Sequence, residues 1–361
     1  MLNCSKVPYV WEERRVPLRE PVHIIGAGLI GLSTADSLMD RGREVIIWDA
    51  APAPGMGASF ANSALLHPSQ AAPWLIEGYS DEMTDAERDN VTREGLELSG
   101  RSTERIKVRM EQMGLPPDRR GLIQIFANDA ARDDRLSAYA RFGVRAESAN
   151  WMGHPAVDIP EDSAADARAY TRSLAEDLVG RGAEFRLGGA VALHFGEGGQ
   201  ICIIPPDGVD VCTDELVVAA GHETGRLLVP LGLDLDLEGI PGHALRFRRT
   251  DKLEDKPVMD ATSRSALTVL DDEIRISGSV GLGSPDDLLP LWSEISPALV
   301  ELLGPPLGRW TGKRPVSRNG RPYMGGTDVA GLFVNAGHAH MGWTLSAGAG
   351  ELVADAVMAA R

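Results

Sequence analysis

Cysteine is nearly absent: Cys4, Cys202 and Cys212 are the three in 361 residues. An odd number without C-x-x-C spacing provides neither a disulfide framework nor a metal site, and free thiols in a reducing cytoplasm are the expectation. No apolar run approaches the roughly 20 residues that cross a bilayer, so no membrane span is expected. Basic charge is short as well, with 36 Lys plus Arg against 52 Asp plus Glu, a formal charge of −16. Such a field repels nucleic acid and anionic lipid while still allowing a local basic pocket. Residues 1–20 contain Pro8, Pro17 and the charged run Glu12, Glu13, Arg14, Arg15. They lack the apolar segment of a secretory signal and are expected to form a surface arm. The remaining composition, 43% hydrophobic and 24% charged, is that of a globular protein with about two domains.

What is present begins at Val22. Val22 to Ile25 is a short apolar strand followed at once by Gly26, Gly28 and Gly31. Ile30, Ala35 and Leu38 continue at helical spacing until Gly42, and a second strand, Glu44 to Trp48, ends on Asp49. Gly26 permits the tight turn, Gly28 lets backbone approach a pyrophosphate, and Gly31 lets helix pack on strand. The helix N-terminus, from Leu29 and Ile30, offers unpaired N–H groups to phosphate. Asp49 and the adjoining Ala50 stand where a carboxylate accepts from an adenosine ribose. This βαβ unit predicts a dinucleotide, and NAD and FAD both satisfy it.

Beyond it, Ala50 to Ala58 is a Pro/Gly loop, and Asp81 to Met113 is a charged helical stretch. Asp166 opens a helix with Ala167, Tyr170, Leu174 and Leu178 on one face. Strands follow at Ala190 to Phe195, Ile201 to Ile204 and Glu215 to Ala220, the last running into Gly221. Ala244 to Arg249, Ala266 to Leu270 and Glu273 to Ser279 read as a second sheet. Glycine-rich turns from Trp310 lead to the strand Leu332 to Asn335, a loop to Trp343 and a final helix.

Three separated segments resemble the superfamily of FAD-dependent D-amino acid dehydrogenases, glycine oxidases and sarcosine oxidases. They are the βαβ unit with Gly57-Ala58-Ser59-Phe60-Ala61-Asn62-Ser63, the run Trp310-Thr311-Gly312-Lys313-Arg314-Pro315 continuing to Gly325, and Leu332 through Ser346. The resemblance implies an α/β chain: a Rossmann-like FAD-binding domain of glutathione-reductase type with an inserted α+β substrate domain. The division expected is 1–78, 150–240 and 310–361 for FAD, with 79–149 and 241–309 for substrate. It implies cofactor contacts from Ser59, Asn62, Ser63, Ala64 and Leu65 in the flavin loop, and from Val191, Ala220 and Gly221 in the middle of the chain. It also implies contacts from Gly337, His338, Gly342, Trp343 and Thr344, His338 through its backbone, with the last helix aimed at the isoalloxazine. No cysteine matches a covalent attachment position, which implies non-covalent FAD, and no metal is expected.

The same resemblance makes Arg314 the clamp on a substrate carboxylate, a role suited to a planar guanidinium. His340 stands where glycine oxidases carry a second arginine; it either faces substrate as a pH-dependent donor or bonds backbone as a loop histidine. His67 follows the flavin loop, and Trp292, Trp310 and Trp343 either line a pocket or pack a core. The chain departs from relatives in having no tyrosine between Tyr170 and Tyr323 and in Ala64-Leu65 of the flavin loop. The implied reaction is oxidation of an amino acid or N-substituted amino acid by hydride transfer to flavin N5, with dioxygen or a quinone as electron acceptor and a homo-oligomer as an allowed assembly. The alternatives are an NAD-linked dehydrogenase on the first βαβ unit and a flavin-containing binding or tRNA-modifying protein, against which the charge of −16 argues.

Overall fold

The computed structural model describes residues 20–72, 83–278 and 283–360; the expected arm therefore lies outside the described residues apart from Glu20. The chain opens with β1 (Val22–Ile25), α1 (Leu29–Asp40), β2 (Val45–Asp49) and β3 (Leu65–Leu66), then α2 (Asp85–Gln112) and β4 (Arg119–Ile125). Next come α3 (Asp129–Arg141), β5 (Glu147–Trp151), β6 (His154–Ala164), α4 (Ala167–Gly180), β7 (Glu184–Leu187) and β8 (Ala192–Phe195). β9 (Ile201–Ile204), β10 (Val211–Thr213), β11 (Leu216–Val218), α5 (Thr224–Leu228), β12 (Leu237–Arg248) and β13 (Val258–Asp260) follow. The chain closes with β14 (Ser265–Val269), β15 (Glu273–Gly278), α6 (Leu288–Ile295), α7 (Pro297–Leu303), β16 (Gly308–Ser317), β17 (Tyr323–Gly326), β18 (Leu332–Ala336) and α8 (Gly342–Ala359).

Three sheets organise these elements. The first has the order β17-β18-β11-β1-β2-β7, parallel throughout except for β17 on β18. Buried apolar strands such as Val22–Ile25 suit a parallel sheet covered on both faces. One face carries α1, α4 and α8, with Leu32, Leu38 and Val353 fully buried, each contributing about 1.5–3 kcal/mol. The other carries the antiparallel sheet β10-β9-β8 and α5. The third sheet runs β16-β12-β15-β14-β13-β4-β6-β3, with β5 on β6, and α6 and α7 pack Trp292 and Leu299 against its outer face.

Close backbone approach fixes where the chain ends meet. A Cβ on Gly26, whose φ is +114°, would lie 2.3 Å from the Ala219 carbonyl oxygen, and one on Gly31 would lie 1.8 Å from that of Gly26. A Cβ on Gly350 would lie 2.5 Å from the Ser33 carbonyl oxygen, so α8 rests directly on α1. Asn335 Nδ2 donates to Thr34 Oγ1 at 2.9 Å between the same two regions. Buried Asp36 on α1 receives Arg181 at 2.6 Å and Arg105 and Arg109 at 3.1 Å, tying α2 and α4 to α1.

Several expectations require correction. Cys202 and Cys212 form a disulfide; they are register partners on the antiparallel ribbon of β9 and β10, a pairing that sequence spacing conceals. The segment around Arg314 is not a turn but ten residues of strand, paired with β12 from Gly308 to Ser317. Residues 154–164 and 308–317 belong to the large sheet. Trp292 is fully buried in the core beside the large sheet. Among the described residues no helix is long and apolar enough to cross a membrane.

Candidate functional site

A cavity of about 820 Å³ runs from the carboxyl ends of β1, β2 and β11 to the inner face of the large sheet. Crevices at strand carboxyl ends are where open parallel α/β sheets bind ligands. At the first end, Gly26, Gly28, Leu29 and Ile30 line the wall. Gly28 is the N-cap of α1 and makes no side-chain cap bond, so the helix terminus keeps donors for an anion. Ser59 Oγ accepts from Leu29 N at 3.1 Å and braces the glycine turn.

Asp49 and Ala50 also line the cavity. The Asp49 carboxylate does more than sequence suggested, because its two oxygens accept from Ala27 N at 2.6 Å and Ala51 N at 2.8 Å. It fastens the first turn to the tip of β2 while leaving further lone pairs for a ribose hydroxyl. Val191, Ala220 and Gly221 continue the wall, followed by Ser59, Asn62, Ser63 and Leu65.

His338, Gly342 and Trp343 line the far wall. His338 is 3% exposed, and neither ring nitrogen has a hydrogen-bond partner among the described residues. Burial drives its pKa down to about 4, so the ring is neutral at neutral pH. The N-terminus of α8 has no side-chain cap and no acidic residue in its first turn, leaving N–H donors at the same wall.

Four residues expected at the cofactor stand behind this wall. Gly31 packs on the glycine turn, and Ala64, held at φ +60°, accepts from Ala165 N at 2.9 Å. Gly337, at φ +84°, lies against Leu237 and Ser317. Thr344 Oγ1 is buried on the His67 imidazole, 3.1 Å from Nδ1.

At the large-sheet end, Arg314 projects from β16 into the cavity. Burial lowers its pKa to about 10, which leaves it cationic at neutral pH. It has room because residue 242 on β12 is glycine: a Cβ there would lie 2.8 Å from the guanidinium carbon. His340 Nε2 lies 3.0 Å from the Gln70 carbonyl oxygen, which it reaches as a donor, and its ring meets His67 edge-on at 5.8 Å between centroids. Burial lowers His340 to about 4 and His67 to about 3. His340 therefore combines both sequence readings, bonded to backbone yet lining the cavity, but it is a neutral group and not a switch near pH 7.

Sequence reasoning missed Gln70, Gln124, Met259, Ser277, Arg135 and Arg264, which also line this end. Trp310, Ala244, Ser277, Ala266, Met259 and Gln124 are successive register partners across six strands, and only strand pairing reveals that row. Gly242 was findable, because an interior strand glycine signals close approach of another group.

A double-ended cavity with an open helix terminus at each end and a buried unpartnered imidazole fits a long polar cofactor with phosphates at one end and a ring system at the other. Residues 21–356 match the family described as DAO, FAD dependent oxidoreductase, and the chain belongs to that family. It is thus a FAD-dependent oxidoreductase with a Rossmann-like fold, and FAD answers the question the first βαβ unit left open. Its relatives include a D-amino acid dehydrogenase of Granulibacter bethesdensis, 27% identical, with 94% of this chain covering 96% of that one. Another, from a Methylobacterium species, is 28% identical with 93% and 94% covered. Among solved structures, glycine oxidase from Geobacillus kaustophilus superposes with TM-score 0.78 at 22% identity, covering 94% of this chain and 95% of that one. An iminodiacetate oxidase from a Chelativorans species gives 0.78 at 21% identity, with 94% and 96% covered.

Proposed function

We propose that this protein oxidises the C–N bond of an amino acid, or of an N-substituted amino acid, whose carboxylate is clamped by Arg314. The observation that carries the reading is one buried guanidinium sharing a cavity with the α1 glycine turn and the N-terminus of α8. The D-amino acid dehydrogenases and the glycine and iminodiacetate oxidases among its relatives support the same substrate class.

FAD bound there without a covalent link would supply a two-electron acceptor, at flavin N5, for the hydride leaving the substrate Cα. The protein positions and conditions what reacts. Arg314 fixes the carboxylate by two parallel hydrogen bonds, so the Cα–H presents one orientation. Gly28, Leu29 and Asp49 would hold the nucleotide end, and the uncapped N-terminus of α8 would stabilise negative charge on the reduced ring. His67, His338 and His340 are neutral at neutral pH. The amine therefore enters as the free base, disfavoured from protonation by the neighbouring Arg314 charge. Its nitrogen lone pair then supports the imine, to which water adds, releasing ammonia or an amine and leaving an oxo acid.

The test is anaerobic mixing of the purified flavoprotein with D- and L-amino acids, glycine, proline and sarcosine-like secondary amines. Bleaching of the flavin by at least one carboxylated amine, faster than by its decarboxylated analogue, is expected. Oxidised flavin throughout the panel would refute the assignment.

A further inference from the structure

We propose that the cavity contains a second anion-binding subsite, formed by Arg264 and Arg135, that selects amino acids carrying a second, distal carboxylate. The inference rests on the reading of Arg314 as the α-carboxylate clamp. In a chain of net charge −16, most buried and half-buried arginines are paired with acids, as Arg43, Arg105, Arg109 and Arg275 are. Arg135 is half-buried and Arg264 is exposed; both line the cavity, and neither forms an ion pair with a carboxylate among the described residues.

Their position is fixed by a chain of contacts. The charges of Arg314 and Arg264 both bear on the His340 ring, so the three side chains share one end of the cavity. His340 bonds the Gln70 carbonyl at 3.0 Å, and Gln70 Nε2 donates to Tyr139 Oη at 2.5 Å. Tyr139 in turn donates to Gln124 Oε1 at 2.7 Å, and the Arg135 guanidinium stands 5.6 Å from the Tyr139 ring centroid. The amides of Gln70 and Gln124 are thereby oriented by a buried phenol, with Arg135 against that phenol's ring and Arg264 lining the same cavity.

The acids of that wall are engaged elsewhere. Asp260 accepts from Ser263 N at 2.8 Å and from Ser263 Oγ at 2.5 Å, in the turn that carries Arg264. Arg264 itself sits at φ +52°, a conformation costly for a side-chain-bearing residue, and this turn directs it to the cavity side. On the same cavity wall, Ala266 and Ser277, paired across β14 and β15, keep the sheet surface low. A short diacid spanning that surface meets a guanidinium at each end, whereas a mono-carboxylated analogue leaves Arg264 and Arg135 without an anion.

The experiment compares isosteric pairs on the FAD-loaded enzyme: glutamate against glutamine, in both enantiomers, by anaerobic flavin reduction. In parallel, glutarate against its monoamide is titrated by perturbation of the oxidised flavin spectrum, which needs no turnover. A charge-assisted contact corresponds to about ten- to a hundredfold in affinity, so glutarate should bind at least about tenfold more tightly than its monoamide. Arg264→Gln should abolish most of that ratio, Arg264→Lys should retain part of it, and Arg135→Gln should reduce it less. Equal affinity within the pair, or a ratio that Arg264→Gln leaves untouched, overturns the subsite. If glutarate is preferred in an Arg264-dependent way yet no amino acid bleaches the flavin, the subsite stands and the proposed reaction falls.

Discussion

At the scale of single residues, Arg314 and the glycine opposite it form one device. The guanidinium occupies space that only residue 242 without a Cβ provides, and its burial has a charge-paired ligand as its natural complement. Arg314→Ala should raise KM for carboxylated amines by roughly two orders of magnitude, about 3 kcal/mol of lost charge-assisted bonding. An unchanged KM would remove Arg314 from the site. Gly242→Ala should do part of the same harm by displacing the guanidinium, with KM rising more than kcat falls; normal kinetics would show that the guanidinium has room to spare. The histidines set a pH expectation of the opposite kind. With His67, His338 and His340 at about 3 to 4, kcat/KM should climb through the alkaline range as the amine loses its proton. A limb between about pH 6 and 7 that disappears in His340→Asn would contradict this.

At the scale of elements, the parallel sheet around the first βαβ unit was legible and much of the large sheet was not. The first unit was expected at Val22 to Ile25, a helix ending before Gly42 and a strand ending on Asp49, and β1, α1 and β2 lie there. Buried parallel strands and an apolar helix face write their packing into the sequence directly. β16 does not, because Arg309, Thr311 and Lys313 alternate outward with half-buried residues that face a cavity instead of a core. Its composition of Gly, Lys, Arg and Pro therefore reads as a turn. The strands β4, β5 and β6, residues 119–164, were missed for a related reason, since polar residues such as Gln124, Asp158 and Asp162 interrupt any alternation. Gly31, Ala64, Gly337 and Thr344 illustrate the converse limit: a motif marks the neighbourhood of a ligand without separating the residues that face it from those that shape the wall. The junction of α1 and α8 is the element contact on which the site depends. Gly350→Ala forces a methyl group against the Ser33 carbonyl, and overpacking of this kind costs about 1–3 kcal/mol. The melting temperature should fall by several degrees and FAD should dissociate more readily; an unaltered thermal transition would show that the helices separate without cost.

At the scale of the whole molecule, stability depends on buried titratable groups. His23, His67, His338 and His340 are held at about 3 to 4 by burial, against 6.5 when exposed. The unfolded chain thus takes up protons that the native state refuses, and their contribution, full above 6.5, is lost as pH falls toward 4. Asp162, whose carboxyl burial raises to about 7 from 3.8 despite two bonds from Ser69, acts in the opposite sense across that window. Four histidines outweigh one carboxyl, so the protein should melt at a lower temperature at about pH 5 than at about pH 7.5, and Asp162→Asn should steepen that difference. Equal transitions at both pH values would show that these rings are not buried as described. The reaction itself is tested most directly by anaerobic titration of the FAD-loaded protein and its Arg314→Ala variant with an amino acid and the matching decarboxylated amine. Bleaching of the native flavin by the amino acid alone, lost or displaced to much higher concentration in the variant, is the expected pattern. Equal bleaching by both compounds, or by both proteins, would mean that the guanidinium holds no carboxylate over the ring.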